Sequence, residues 1–395
     1  MADLSVEFAG LKLMNPFMLT SAPPTATGEM IQRAFEAGWA GAVTKSIALE
    51  PAIDAQPRLA RLAMGIKTIG LENIELTTQR NLEVWVKDIE EIKRHYPDHI
   101  LFASLMAAVV KEEWHFLIKQ VEEAGVDGLE LNFSCPHGMP EKGMGSVQGQ
   151  DPAIAGEITR WAKEVATVPV MVKLTPNVTD IAGIGKACEE AGADAISAIN
   201  TVSALIGVDL ERLEPLPSVG GTSAFGGYSG PAIKPIGLRC IAQLAKGTSL
   251  PLSGVGGIAK WQDAAEYILV GASTVQVGTA VMFQGYKIVE KMKKGLSAYM
   301  DEKGFESMAK MRGYILPQIT AHEELNFGYK VVAAIDQALC SKCGLCYTAC
   351  RDGGWQAIEM ESHQVYPRVV VEKCDGCSLC LHVCPVEGCI TLVPA

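Results

Sequence analysis

Nine of the twelve cysteines lie in the last 56 residues, and eight of them form two near-identical runs. The first is Cys340-x-x-Cys343-x-x-Cys346-x-x-x-Cys350, and the second is Cys374-x-x-Cys377-x-x-Cys380-x-x-x-Cys384 with Pro385 behind it. A cubane iron–sulfur cluster takes four thiolates; where two clusters share one small domain, three come from one run and the fourth from the other. The spacing therefore assigns Cys340, Cys343, Cys346 and Cys384 to one [4Fe-4S] cluster, and Cys374, Cys377, Cys380 and Cys350 to a second. Such a chain handles electrons singly, which limits what the long stretch before the cysteines can be. Disulfides would need an oxidising compartment, and Met1-Ala2-Asp3-Leu4 lacks the basic patch and apolar core of a secretory signal. Tandem runs of this period also fit zinc ribbons poorly. Cys389 falls outside the pattern and reads as a small buried apolar residue.

The chain of 395 residues suits one large domain followed by a small one. With 48% hydrophobic and 20% charged residues it should bury a large core. The mean hydropathy of +0.18 is high, yet the longest apolar run, Leu101 to Val110, ends at Lys111, well short of a membrane span. The net charge of −11 excludes nucleic acid as an expected partner, because phosphate neutralisation needs basic patches. Free thiols and oxygen-sensitive clusters point to the cytoplasm.

Short apolar runs alternate with helical patterns along most of the chain. Val6 to Leu13 reads as a small hairpin around Ala9-Gly10. Strands are predicted at Phe17–Ala22, Gly41–Ile47, Leu101–Ala107, Gly128–Ser134, Pro169–Thr175, Ala195–Thr201, Leu252–Ile258 and Ser273–Ala280. Helices are predicted between them, including Met30–Ala37, Lys111–Ala124 and Asp151–Val165; the last opens on Asp-Pro, a cap followed by proline in the first turn. Eight strands with intervening helices give an α/β fold, a (β/α)8 TIM barrel, with a doubly wound open sheet as the alternative. Residues 283–330 read as helical and charged, closing the barrel, so the domains are placed at 1–330 and 331–395.

A barrel collects its functional groups at the C-terminal strand ends. Ser21 follows the first predicted strand and Lys45 ends the second; Asn132, Ser134 and Cys135 end the fourth. Lys173 ends the fifth, Asn200-Thr201 the sixth, Gly254, Gly256 and Gly257 the seventh, and Gly278-Thr279 the eighth. Glycines after the last two strands let backbone N–H groups approach a phosphate. A flavin mononucleotide (FMN) suits that cradle, since a flavin collects single electrons and exchanges a hydride. No strand–GxGxxG–helix unit is visible for a nicotinamide. Lys45 and Lys173 interrupt apolar strands and would face the electron-rich edge of the reduced flavin ring.

The segment Asn132-Phe133-Ser134-Cys135-Pro136-His137-Gly138 leads into a loop with Gly143, Gly145 and Gly149, a composition that suits a lid. A thiol of ordinary pKa about 8.5 is mostly protonated at neutral pH, so Cys135 can serve as a general acid. Asn73, Asn132 and Asn200, with Thr201, offer the paired donors and acceptors that a cyclic amide or pyrimidine presents.

The motifs Asn-Phe-Ser-Cys-Pro-His-Gly (132–138), Lys-Leu-Thr-Pro-Asn-Val-Thr-Asp (173–180), Asn-Thr-Val-Ser (200–203) and Gly-Gly-Tyr-Ser-Gly-Pro-Ala-Ile-Lys-Pro (226–235), with the double cysteine tail, resemble dihydropyrimidine dehydrogenases. The likeness covers nearly the whole chain. It is strongest to the flavin and iron–sulfur subunit of the bacterial NAD-dependent type, and the barrel is similar to class 1 dihydroorotate dehydrogenases. The resemblance implies a dihydroorotate-dehydrogenase-like barrel with FMN and a C-terminal two-cluster ferredoxin domain. It implies that Cys135, supported by Ser134 and His137, protonates C5 of uracil or thymine while hydride goes to C6. Asn73, Asn132, Asn200 and Thr201 would hold the base. Thr20, Ser21, Lys45, Lys173, Gly230, Gly256, Gly257, Gly278 and Thr279 would hold FMN.

It also implies an FAD- and NAD(P)H-binding partner subunit as electron donor, in a hetero-oligomer of the heterotetramer kind. Gly70 to Leu76 departs from the Asn-Ser-Met-Gly-Leu-Pro-Asn segment of orotate-binding relatives. The competing readings are a dihydroorotate dehydrogenase or another cyclic enone reductase, and a non-catalytic electron-transfer subunit.

Overall fold

The computed structural model describes residues 2–134, 145–362 and 365–395. Two compact units divide between Gln318 and Ile319, so 319–330 go with the cysteine-rich unit and not with the barrel.

Eight parallel strands close the barrel: β1 (Phe17–Leu19), β2 (Gly41–Val43), β3 (Ile100–Leu105), β4 (Gly128–Asn132), β5 (Val170–Leu174), β6 (Ala195–Ala198), β7 (Leu252–Val255) and β8 (Ala272–Val277). Each pairs with the next in sequence, and β8 returns to β1. Every residue of the eight is buried, which explains why they read as largely apolar runs; both faces are covered, one by helices and one by the barrel interior. The open-sheet alternative is excluded by the closure. The strands are shorter than predicted and stop at Leu19, Val43, Leu105, Asn132, Leu174, Ala198, Val255 and Val277. Most of the polar residues expected at strand ends therefore sit on the loops just beyond them.

The interior changes character from floor to mouth. The hairpin Val6–Phe8/Leu11–Leu13, turning at Ala9 and Gly10 with φ of 51° and 77°, plugs the floor. Its Phe8 and Leu13 pack on Met18, Ile100, Phe102 and Met171. Complete burial of such side chains stabilises by roughly 1.5–3 kcal/mol each. Nearer the mouth the lining turns polar, with Glu130, Lys173, Ser197, Ser253 and Gln276 all buried.

The helices follow their patterns. Ala34, Phe35 and Ile31 of Gly28–Ala37 face the core, as do Trp114, Leu117, Ile118 and Val121 of Lys111–Glu123. Asp151 caps Pro152–Val165 by accepting from the amides of Ala153 and Ile154. Trp39, Trp85 and Trp114 are fully buried, and each indole N–H donates to an oxygen, of Tyr286, Thr78 and Ala108 respectively. Residues 283–330 fit the helical expectation only in part: one long helix, Ile288–Lys303, is followed by single-turn helices at Met308–Met311, Leu316–Gln318 and His322–Glu324.

An unexpected element lies in the loops after β2 and β6. The hairpin Leu59–Met64/Lys67–Asn73 joins Gly226–Ser229 and Val202–Ala204 in a four-stranded antiparallel sheet. Buried Glu72 ties this sheet together by accepting the amides of Ile206 and Gly226. Burial raises the pKa of that carboxyl, only partly opposed by the two amides.

In the cysteine-rich unit Val331–Ile335 pairs with Ile390–Pro394, and Ile358–Glu359 with Arg368–Val369. Helices Leu345–Gly353 and Leu379–Val383 each start inside a cysteine run. Among the described residues no helix is long and apolar enough to cross a membrane.

Candidate active site and cluster centres

One cavity of about 420 Å³ opens at the C-terminal ends of the barrel strands. Its lining includes Thr20, Ser21, Lys45, Asn73, Asn132, Lys173, Asn200, Thr201, Gly230, Gly256, Gly257, Gly278 and Thr279. These are thirteen of the sixteen barrel residues singled out from the sequence, and they come from loops far apart in the chain. Ser134 stands just behind the lining, donating its hydroxyl to Asn132 Oδ1 at 2.9 Å and accepting from Asn200 Nδ2 at 2.8 Å. Cys135, His137 and the glycine-bearing loop up to residue 144 lie outside the described residues.

The amides and hydroxyls form one continuous string. Ser21 and Ser46 hydroxyls are 3.2 Å apart, and Ser46 also meets Ser104 at 2.9 Å. Asn132 Nδ2 donates to Ser46 at 2.8 Å, while its Oδ1 accepts from Ser134 and from Asn200 at 3.3 Å. Asn200 Oδ1 accepts the amide of Thr201 at 2.8 Å. Asn73 belongs to the antiparallel sheet and donates to the carbonyl of Gly227 at 3.3 Å. This string locks the carboxamide orientations, so the groups facing the cavity present fixed donors and acceptors. Ser46 and Ser104 escaped the sequence reading; Ser104 sits between apolar strand residues and Ser46 on the loop beyond a strand, positions where a serine gives no signal of its partners.

Lys173 is 3% exposed, a cation buried in the barrel. Its Nζ donates to Thr20 Oγ1 at 3.0 Å and pairs with Glu130 Oε1 at 3.4 Å. Glu130, wholly buried, also accepts from the Ser197 hydroxyl at 3.0 Å. A buried charge without its partner is strongly destabilising, so Glu130 explains how Lys173 is tolerated there. Sequence reasoning missed Glu130 because one glutamate in a strand gives no signal of its direction. Lys45 pairs with Glu75 at 3.0 Å, and Glu75 also takes Arg58 at 2.7 Å.

The glycine loops have the form of a cradle. Gly256 and Gly257 take φ of 122° and 72°, and Gly230 takes 94°, a region that favours glycine. A Cβ on Gly257 would lie 2.8 Å from Lys234 N, and one on Gly278 would lie 2.8 Å from the Thr20 side chain. The loop is braced from below. Tyr267 donates its hydroxyl to the carbonyl of Gly256 at 2.7 Å, and Asp263 accepts the amides of Ala259 and Lys260 at 2.9 and 3.1 Å. Lys234 completes the brace by pairing with Asp263 at 2.8 Å. Gln276, 1% exposed, lines the same cavity, and its Oε1 has no partner among the described residues. A buried orphan acceptor, a close-approach glycine cradle and a buried lysine together fit the ring and phosphate of FMN.

In the second unit the eight thiols fall around two small cavities. One small cavity is lined by Cys340, Cys343, Cys346 and Cys384, the other by Cys350, Cys374, Cys377 and Cys380. The backbone repeats with the runs: Lys342 and Gly376 have φ of 58° and 74°, and Gly344 and Ser378 have 77° and 66°. These left-handed residues turn the chain between successive thiols. Amides of Lys342 and Ala357 point at the sulfurs of Cys340 and Cys350, at 3.4 and 3.3 Å, and would damp their thiolate charge. Cys389 is buried, 2% exposed, and joins the wall of the first cavity, where burial pushes its thiol pKa up. Four thiols around each cavity fit a [4Fe-4S] cluster in each.

A closed barrel with a flavin-shaped mouth, followed by a dicluster unit, defines an iron–sulfur flavoprotein of the oxidoreductase class. Comparison with known families places it further. Residues 3–300 match the dihydroorotate dehydrogenase family, and residues 333–392 match the 4Fe-4S dicluster domain. The chain belongs to the dihydroorotate dehydrogenase family. It is 42% identical to the NAD-dependent dihydropyrimidine dehydrogenase subunit PreA of Escherichia coli K12, over 99% of this chain and 95% of the relative. It is also 42% identical to the chloroplastic dihydropyrimidine dehydrogenase (NADP(+)) of Arabidopsis thaliana, over 87% of this chain and 83% of that one. The catalytic subunit of dihydroorotate dehydrogenase B (NAD(+)) of Pyrococcus abyssi is 40% identical over 79% of this chain and 99% of its own.

Proposed function

We propose that the chain interconverts uracil or thymine and their 5,6-dihydro forms, as the flavin and iron–sulfur subunit of a dihydropyrimidine dehydrogenase. The observation that carries this reading is the convergence of Asn73, Asn132, Asn200 and Thr201 on the cavity that also holds the glycine cradle and Lys173. A carrier that only relayed electrons would need no such array of carboxamides. Bound FMN supplies hydride exchange at C6 of the pyrimidine.

The chain's own residues do the rest. Thr20, Ser21, Gly230, Gly256, Gly257, Gly278 and Thr279 hold the cofactor, with Lys45 and Lys173 supplying positive charge at the cavity wall. The carboxamides and Thr201 orient the ring by matching its alternating N–H and C=O groups. Cys135 holds the proton destined for C5, with Ser134 and His137 beside it in sequence. Ser134 is itself fixed by Asn132 and Asn200, which would anchor the start of the loop bearing Cys135. The eight cysteines hold two clusters that link the barrel to an electron donor. No nicotinamide fingerprint is seen in the sequence and the most similar relatives include a named subunit, so that donor is an FAD- and NAD(P)H-binding partner in a hetero-oligomer.

The test uses anaerobically purified holoprotein with a one-electron reductant such as reduced methyl viologen. Uracil and thymine should be reduced and should perturb the flavin spectrum more than orotate does. Cys135→Ala should lower turnover by about 10²–10⁴-fold with flavin and iron contents unchanged. Reduction of orotate in place of uracil would overturn the reading, and undiminished turnover in Cys135→Ala would overturn the acid role.

A further inference from the structure

The cavity wall carries a charge cluster of which the reaction as described uses only Lys45. Glu75 lies on the loop that follows the antiparallel hairpin and is 6% exposed. It faces Lys45 at 3.0 Å and Arg58 at 2.7 Å, and both Lys45 and Glu75 line the cavity. Arg58 is also 3.9 Å from Asp54, whose other contacts are the amide of Leu76 and Gln79 Nε2. Two cations thus meet two carboxylates, and the cluster is balanced by the protein's own groups. Among the described residues the remaining cavity cation inside the barrel, Lys173, is balanced in the same way by Glu130. Lys67, also at the wall, stands on the exposed hairpin.

We propose that Glu75 is a specificity-determining residue: by occupying Lys45 and Arg58 with a built-in carboxylate, it makes the cavity select neutral pyrimidines and reject those bearing a carboxylate. This rests on the proposed pyrimidine activity and deepens it. The physical reason is that an anionic ring substituent gains affinity only from a cation with charge to spare, and costs affinity beside a fixed like charge. Glu75 is ionised across the working range. Burial would raise its pKa, but Lys45 and Arg58 outweigh burial and hold it below the usual carboxylate value. Relatives of about 40% identity are named for neutral and for carboxylated pyrimidines, so one barrel serves both and local differences in the cavity decide between them.

The test is flavin-difference titration of the holoprotein with uracil, orotate (uracil-6-carboxylate) and the neutral amide of orotate. In the unaltered protein the amide should bind at least about tenfold more tightly than orotate, a gap of ~1.4 kcal/mol. Glu75→Gln should tighten orotate binding by at least about tenfold and change uracil binding by less than about threefold. Equal rejection of orotate and its amide would show exclusion by size and overturn the proposal, even if Glu75→Gln failed to fold. An unchanged orotate-to-uracil ratio in a flavin-replete Glu75→Gln protein would overturn it as well. If the unaltered protein prefers orotate to uracil, it is the proposed activity that fails, and the two failures are thereby told apart.

Discussion

The two units of this chain are held together by different forces. The barrel's main core is built from aliphatic and aromatic side chains, with only Cys188 and Cys240 among its cysteines. In the smaller unit four of the eight buried core residues are cysteines: Cys346, Cys350, Cys380 and Cys389. Three of those four belong to the cluster-ligand sets, so what occupies the centre of a normal core is here the shell of a metal site. Small domains bury too little apolar surface to be stable alone, and metal binding free energy becomes folding free energy. The barrel's core is apolar area removed from water, whereas bound clusters would add ligation energy to the small core of the tail.

That contrast can be broken or sharpened by experiment. The largest effect belongs to the ligands. Cys350→Ala should remove about four of about eight irons, because this thiol serves the cluster of the other run. Limited proteolysis should then cut within 319–395 while fluorescence from the buried Trp39, Trp85 and Trp114 of the barrel stays native. Full iron retention would refute the crossed ligand sets. A smaller effect comes from the barrel floor. Phe8→Ala, at a site fully buried against Phe102 and its neighbours, should cost about 3–5 kcal/mol in denaturant unfolding followed through the barrel tryptophans. The iron content should not change; its loss would mean that the two units share one stability. The smallest is a cap. Asp151→Ala should cost about 1 kcal/mol in the same measurement, since two helix amides lose their acceptor. No loss there would show that Pro152 alone defines that helix start.

Much of this was readable from residues in a row. Cluster ligands within a run are held by local backbone turns, so spacing alone reports them. Barrel strands buried on both faces show as apolar runs, and the loops after β7 and β8 announce themselves through glycine. What resisted reading depends on partners distant in sequence. Glu130 gains its meaning from Lys173 and Ser197, and Glu75 from Lys45 and Arg58. The antiparallel sheet pairs residues 71–73 with 227–229, segments far apart in the chain whose own sequences do not name each other. Strand ends were overrun for a related reason: buried residues continue past Val43, and apolar ones past Leu105, into loops that leave the barrel ladder.

Order along the chain was enough to narrow the fold to a barrel or an open doubly wound sheet, to place the Asp151 cap and to propose the crossed thiol sets. Each depends on periodicity, on a cap within one helical turn, or on a repeat copied once. Only the closed tertiary structure decided the charge pattern of the cavity, which carboxylate neutralises which lysine and which carboxamides share one string. Those pairings join side chains from different strands and loops that meet only in the folded chain, and Coulomb and hydrogen-bond energies depend on distance in space, to which sequence separation is no guide.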